Sequence, residues 1–194
     1  MNSTSAPAAP TGFTTLNPFF IARDVEGLID FLREVFGGEE HADARTTDVD
    51  GLLLHAELEI GGTTLMFGER KPDWPYLPQL TQIYVDDLDA VLDRATARGA
   101  RVVTQPTDFF GTMFSRIVDP WGNMWWVYKH GEVAGEWGED AEGEWAADGA
   151  EGEWSADGAE SGDADAAEWE DPGLAYIHST LLDVMPGLGA ESAK

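Results

Sequence analysis

The 194-residue chain contains no cysteine, and it has only 11 lysine and arginine residues against 37 aspartate and glutamate residues. Without cysteine, the chain cannot form a disulfide scaffold, a thiolate metal site or a thiol nucleophile. The formal net charge of −26 would repel the phosphates of a nucleic acid. We therefore expect no nucleic-acid partner.

Long apolar runs are also missing. No run approaches the roughly 18 apolar residues that a membrane-spanning helix requires. Residues 1–12 lack the positive charge and the apolar segment of a secretion signal, so they are expected to be a disordered leader of a cytoplasmic protein with no membrane partner. The hydrophobic content of 43% is ordinary for a globular protein, which predicts a folded domain elsewhere in the chain.

Much of the acidity is concentrated in residues 131–171, which contain 16 acidic residues and no basic residue. The sequence Gly-Glu-Trp occurs three times there, at 135–137, 143–145 and 152–154. Such a segment has too little apolar surface to offset the entropy of ordering its backbone. We interpret it as a solvated acidic linker that contains a Gly/Trp repeat.

A short amphipathic helix is predicted at residues 172–185. Asp171 is a suitable N-cap and Pro172 suits the first helical position. A helix of this kind needs a surface to cover, and either the body of the protein or a partner could supply it. The apolar residues with helical spacing are Leu174, Ile177, Leu181 and Val184.

Residues 13–130 contain an internal duplication with an offset of 63 residues. A β-rich segment ends at Asp24 and is followed by a predicted helix, Val25–Phe36, which stops at two glycines. A second β-rich segment ends at Asp87 and is followed by another predicted helix, which stops at Gly99. The matching pairs are Asp24/Asp87, Val25/Leu88, Leu28/Val91, Ile29/Leu92 and Asp30/Asp93.

Each predicted helix is followed by further strands. Residues 52–60 and 63–67 form an expected hairpin around Gly61-Gly62, and residues 114–118 and 124–129 form its counterpart around residues 119–123. The pattern predicts an α+β protein made of two βαβββ modules. The expected boundaries are about 13–70 for the first module and about 79–130 for the second.

These segments resemble the vicinal oxygen chelate (VOC) superfamily, which includes glyoxalase I, bleomycin-resistance proteins and extradiol dioxygenases. The resemblance rests on NPFFIARDVEGLIDFLREVFGG, HAELEIGGTTLMFGE, IYVDDLDAVLDRATARGARVV and RIVDPWGNMWWVYKH, and it is closest to the PhnB-like branch. It implies two modules that form a half-barrel around one pocket, with the helices outside, and it implies a homodimer.

The resemblance also implies where a metal would bind, because metalloenzymes of the superfamily place ligands on the first and last strand of each module. None of the residues at these positions is a useful ligand for a divalent metal apart from a weakly binding amide. We therefore expect no metal and no cofactor, and no metal-dependent glyoxalase or dioxygenase activity. The four positions hold Asn17, Met66, Leu80 and Trp126, and a slip of one residue brings in Leu65, Thr81 and Trp125 instead.

Strand alternation predicts a pocket lined mainly by apolar and aromatic side chains, typical of a small-molecule site. A filled core in which these rings pack on one another is the alternative. The segment Thr107–Met113, with Phe110 at its centre, is either a lid over the pocket or an aromatic contact at a sheet edge. The predicted ligand-binding residues are Asn17, Phe19, Met66, Gln82, Tyr84, Phe110, Met124 and Trp126.

His55 and Glu57 lie two residues apart on one predicted strand, so both should face the pocket. A histidine beside a carboxylate can act as a general base, although the two can also simply bond to each other at a wet rim. His41, His130 and His178 belong to no apparent constellation.

Two functions therefore remain open. The first is a bleomycin-resistance-like protein that binds a small aromatic or cationic molecule in its central pocket without a metal. The second is an enzyme of the lyase or isomerase type that uses His55 and Glu57 as catalytic residues, with or without an atypical metal.

Overall fold

The computed structural model describes residue 9, residues 13–130 and residues 171–188. This part of the chain is an α+β fold with two modules and a short C-terminal helix, as the sequence predicts. The first module contains β1 (Phe19–Ala22), α1 (Val25–Phe36), β2 (Glu39–Glu40), β3 (Thr46–Thr47), β4 (Leu53–Ile60) and β5 (Thr63–Glu69). The second contains β6 (Leu80–Tyr84), α2 (Leu88–Ala97), β7 (Arg101–Phe109), β8 (Thr112–Val118) and β9 (Met124–His130), and α3 (Pro172–Val184) follows.

The two modules repeat one strand order. The first sheet runs β1-β5-β4-β2, with β3 paired to β4, and the second runs β6-β9-β8-β7. In each sheet the first strand is parallel to the last strand of its module, whereas the hairpin partners are antiparallel. Phe19 therefore lies opposite Met66 in the first sheet, and Gln82 lies opposite Trp126 in the second.

The repeated aspartates start the two helices. The side chain of Asp24 accepts a hydrogen bond from the backbone N–H of Gly27, and that of Asp87 accepts one from the N–H of Ala90. Each bond satisfies one of the N–H groups that the first turn of a helix leaves without a partner. The offset of 63 residues in the sequence therefore corresponds to a repeated N-cap.

One hydrophobic core joins the two modules. Helices α1 and α2 pack against each other and against one face of each sheet. The ring of Trp125, in the second module, stacks on Phe20 with centroids 5.8 Å apart and lies 5.1 Å from Phe36, both in the first module. We call the sheet faces turned away from α1 and α2 the outer faces.

Helix α3 lies on the outer face of the second sheet, mainly along β7. Its C-terminal end places Val184 and Leu188 against Val118 and Met124, and all four side chains are buried. The predicted helix therefore packs on the body of the protein, which was one of the two surfaces considered for it.

The predicted loop at residues 107–113 is shorter than expected, because β7 extends to Phe109 and β8 begins at Thr112. Only Phe110 and Gly111 form the turn, with φ values of 51° and 78°. Two successive residues with positive φ match the twist of a tight hairpin. Phe110 is 69% exposed at this turn, and its ring lies 5.1 Å from that of Phe109.

The leader, apart from residue 9, and residues 131–170 of the predicted linker lie outside the described residues. Within the described ranges, no helix has the length and apolar character needed to cross a membrane.

The turn between β8 and β9 is built around a buried carboxylate. Asp119 is only 4% exposed, and its two oxygens accept hydrogen bonds from the backbone N–H groups of Trp121 and Asn123, the side-chain amide of Asn123 and the indole N–H of Trp125, at 2.9–3.0 Å. Burial raises the pKa of Asp119, and the four donors oppose that effect. Asn123 in turn accepts a bond from the N–H of Gln79, just before β6.

We expect Asp119→Ala to lower the free energy of unfolding by at least about 3 kcal/mol, because it leaves several buried donors without an acceptor. Urea denaturation of the full chain measures the change. Asp108→Ala is the control: within the described ranges, the exposed side chain of Asp108, near the end of β7, accepts one long bond, 3.5 Å from the Gly111 N–H. A change of about 0.5 kcal/mol or less is expected there, and equal losses in the two variants would contradict the anchoring role of Asp119.

Candidate functional site

A cavity of about 610 Å³ lies between the two modules. Its volume falls within the range of roughly 300–1,000 Å³ that is usual for small-molecule sites. The walls are mainly apolar, and the bond from the Gln82 amide to the Tyr84 hydroxyl, 2.8 Å long, places two polar groups at one side. The lining residues are Leu16, Pro18, Ile60, Gly61, Thr63 and Leu65 from the first module and Thr81, Gln82, Ile83, Tyr84 and Trp125 from the second.

A smaller cavity of about 320 Å³ adjoins it and shares Ile60, Gly61, Ile83 and Tyr84 as walls. It adds Asp86, Asp87 and Arg94 to the lining. Arg94 is held by the carbonyl of Val35 at 2.8 Å, and Asp87 caps α2. Asp86 is exposed, and it gives this end of the combined space an acidic group.

A separate polar cluster lies on the outer face of the first sheet. Nε2 of His55 is 2.9 Å from Oε1 of Glu57, in line with the predicted alternation of β4. The other carboxylate oxygen of Glu57 is 3.4 Å from Nδ1 of His41, and Nε2 of His41 is 3.6 Å from Glu59. The ring of Phe19 lies 6.2 Å from that of His55.

His41 is a member of this cluster that the sequence analysis missed. It follows β2, which pairs antiparallel with β4, and its N–H donates to the carbonyl of Glu57 at 3.0 Å. The pairing of these distant segments brings the imidazole beside Glu57. Nothing in the spacing between residues 41 and 57 indicates that register.

The electrostatics of the cluster favour an ionised Glu57. The hydrogen bond from His55 is the largest influence and lowers the pKa of Glu57, burial opposes it, and His41 adds to the lowering. An ionised carboxylate can orient an imidazole and stabilise its protonated form. The pair can thus either accept a proton from a ligand or attract a cationic one.

The predicted ligand-binding residues separate into three places. Phe19 and Met66 lie side by side on the outer face of the first sheet, and Gln82 and Tyr84 line the cavity between the modules. Met124 and Trp126 face α3 on the second sheet.

Two of the predicted ligand-binding residues lie in turns. The Asn17 side chain bonds to the backbone of Thr14, accepting from its N–H at 3.1 Å and donating to its carbonyl at 2.7 Å. Phe110 is the exposed tip of the β7–β8 hairpin.

The donor set at the four metal positions of the superfamily does not fit a divalent ion. Met66, Leu80 and Trp126 offer a thioether, an alkyl group and an indole, and the amide of Asn17 is engaged in its own turn. Hard or borderline divalent metals prefer carboxylates and imidazoles. Among residues 13–130 and 171–188, no three His, Asp or Glu side chains are grouped so as to hold a metal.

A slip of one residue from these metal positions brings in Leu65, Thr81 and Trp125, and these three residues line the cavity. Two of them, Leu65 and Trp125, also belong to the hydrophobic core that joins the modules, so this part of the cavity wall is apolar.

These features define a protein with paired βαβββ modules and an apolar cavity between them. The chain belongs to the Glyoxalase/Bleomycin resistance protein/Dioxygenase superfamily, whose family profile matches residues 15–127.

Two mycobacterial proteins are similar to this chain in sequence. An uncharacterised protein of Mycobacterium bovis is 31% identical over 122 residues, which are 57% of this chain and 79% of that protein. An uncharacterised protein of Mycobacterium tuberculosis shows the same identity over 71% of its length.

Among solved structures, protein PA1353 from Pseudomonas aeruginosa has the same fold, with a TM-score of 0.50 and 20% identity over 59% of this chain and 96% of that one. TioX from Micromonospora gives a TM-score of 0.47 and 24% identity over 62% and 98% of the two chains.

We expect His55→Ala to raise the pKa of Glu57 toward its ordinary value, because the strongest influence that lowers it is removed. A carboxylate with a lowered pKa stabilises the fold above its unfolded-state pKa, and this contribution is lost as the pH falls through the folded-state pKa. The part of the acid-side loss of stability that comes from Glu57 should therefore be smaller in the variant, because the folded-state and unfolded-state pKa values of Glu57 then nearly coincide. Carboxyl ¹³C NMR titration measures the pKa.

His41→Ala is the matched comparison and should produce a smaller change, because its ring is farther from Glu57. A Glu57 pKa that stays unchanged in His55→Ala would show that the pair is not electrostatically coupled.

Proposed function

We propose that this protein binds a small aromatic or cationic molecule in the cavity between its modules and does so without a metal. The observation that supports the proposal best is the cavity itself: about 610 Å³, mostly apolar, with the Gln82–Tyr84 pair as its polar group. A pocket of that size with few polar groups is typical of ligand sites.

The aromatic side chains of the cavity wall and the net negative charge of the domain favour an aromatic or cationic ligand. Trp125 and Tyr84 line the cavity, and aromatic faces attract flat rings and cations. Residues 13–130 contain 19 acidic and 10 basic residues, and Asp86 lies at the adjoining end of the space. A net negative surface raises the local concentration of cations.

Membership of the superfamily also supports a homodimer. Phe19 is 41% exposed beside Met66 on the outer face of the first sheet, and pairing with a second copy through this face would remove that ring from water.

We expect the cationic aromatic dye thioflavin T to bind the full chain with one site and Thr81→Trp to weaken that binding by about tenfold or more, because the indole would fill cavity volume. Thr81 lines the cavity at the edge strand β6. Fluorescence titration measures the affinity.

Leu80→Trp is the matched control, since Leu80 precedes Thr81 on the same strand, is 50% exposed and is not part of the cavity wall. The anionic dye 8-anilinonaphthalene-1-sulfonate provides the charge comparison and should bind more weakly than thioflavin T. Equal effects of the two tryptophan substitutions would overturn the proposed location.

The 2.9 Å contact between His55 and Glu57 favours a second candidate function, a lyase or isomerase that removes a proton next to a carbonyl. In such a step the imidazole takes the proton from carbon, the electron pair moves toward the carbonyl oxygen, and the proton is later returned to carbon.

This candidate predicts that the full chain accelerates exchange of the C–H protons of dihydroxyacetone in D₂O, followed by ¹H NMR. His55→Ala and Glu57→Gln should each slow the exchange by about tenfold or more. His178→Ala, on α3, should leave the rate unchanged. Wild-type exchange no faster than in buffer would count against base catalysis on this probe.

A further inference from the structure

Arg116 occupies an unusual position on the outer face of the second sheet. It is only 4% exposed, and its guanidinium lies over the ring of Phe114 at 4.7 Å and over that of Trp126 at 5.4 Å. Arginine is rarely buried to this extent without an acidic partner. Within residues 13–130 and 171–188, no carboxylate forms an ion pair with it.

Neutral oxygens take the place of a carboxylate. Nη1 of Arg116 donates to the backbone carbonyl of Ile177 at 2.7 Å, to the hydroxyl of Thr104 at 3.2 Å and to that of Thr180 at 3.4 Å. Nε of Arg116 is buried and has no hydrogen-bond partner in the described part of the chain. Burial lowers the pKa of this arginine, and Tyr128 opposes that effect.

Two of the three acceptors belong to α3. The helix also places the Tyr176 hydroxyl against the N–H of Gln105, at 2.9 Å, and the Thr180 hydroxyl 2.7 Å from that of Thr104. Two oxygen atoms of α3 thus accept from Nη1 of Arg116, and an anion that bound this guanidinium group would compete with them.

The attachment of α3 is limited. Within the helix only Ile177 and Val184 are buried, and a helix of 13 residues is marginal without a surface to cover. Forty residues separate the end of β9 from Asp171, and a length of chain of this kind does not by itself fix the position of the helix.

We propose that the outer face of the second sheet is a binding site for a small aromatic carboxylate, with Arg116 as its anion-binding residue and α3 as a tethered cover that the ligand displaces. This site is distinct from the cavity between the modules and its proposed ligand.

The chemistry of the face selects this class of ligand. Nε and Nη of one guanidinium can bind the two oxygens of a carboxylate in parallel, and a single cation balances a single negative charge. The rings of Phe114, Trp126 and Tyr128 surround the position, with Phe114 and Tyr128 4.8 Å apart, and they can contact a flat aromatic body.

The test uses 2-naphthoate as the probe, with the neutral 2-naphthamide as its uncharged counterpart, in titrations of the full chain followed by ligand-observed NMR. Val184→Asp should loosen α3, since Val184 packs against Met124 and Val118, and should strengthen naphthoate binding by about tenfold or more. Naphthamide should bind much more weakly in both proteins. Circular dichroism verifies that the variant remains folded.

Arg116→Gln, made in the Val184→Asp background, should weaken naphthoate binding by about tenfold or more, and Arg116→Lys should restore part of the loss because the charge returns without the planar donor pair. The lysine variant also keeps the test valid if the glutamine variant folds poorly.

An engineered disulfide tests the opposite change, in which α3 is held on the sheet. A Cβ on Gly173 would lie 3.5 Å from Cγ2 of Thr107, and the chain has no other thiol, so Gly173→Cys with Thr107→Cys can tie α3 to β7. Oxidation should weaken naphthoate binding, and reduction should restore it.

Naphthoate binding that is insensitive to Arg116, or that is unchanged by loosening and by locking α3, would overturn this inference. Thr81→Trp separates it from the proposed function: that variant should lose thioflavin T binding and keep naphthoate binding. Loss of both ligands in Thr81→Trp would place naphthoate in the cavity between the modules and would also reject the inference.

Discussion

The packing of Trp125 against the first module is the contact on which the rest of the structure depends. Its ring stacks on Phe20 and touches Phe36, so one side chain joins the two modules. Its indole N–H donates to the buried carboxylate of Asp119, which orders the turn before β9. The same ring forms a wall of the cavity. Module pairing, turn geometry and the shape of the cavity are therefore linked through one residue.

The duplicated modules have the same topology, but the side chains on their outer faces differ in chemical type and charge. The first sheet presents His41, His55 and Glu57 in contact with one another. The second presents a buried arginine among aromatic rings, and α3 covers it. Strand order is set by backbone pairing and by the apolar side that faces the core, so the other side of each strand is free to differ.

Much of the fold could be predicted from local patterns. The aspartates at residues 24 and 87 cap the helices, and the alternation in β4 places His55 and Glu57 on one face. The register at the cavity could not be predicted in this way, because Leu65, Thr81 and Trp125 meet there only after the sheets of the two modules are brought together. The expectation that His41 belongs to no group of polar residues was wrong for the same reason, since its contact with Glu57 depends on the pairing of β2 with β4.

The sequence by itself determined where the helices begin, which strand faces are apolar and where the hairpins turn, because these properties depend on residues a few positions apart. Only the tertiary structure decided that α3 lies on the second sheet and that Ile177 and Thr180 contact Arg116. Those contacts join residues more than sixty positions apart. Their free energy comes from burial and hydrogen bonds that no local pattern encodes.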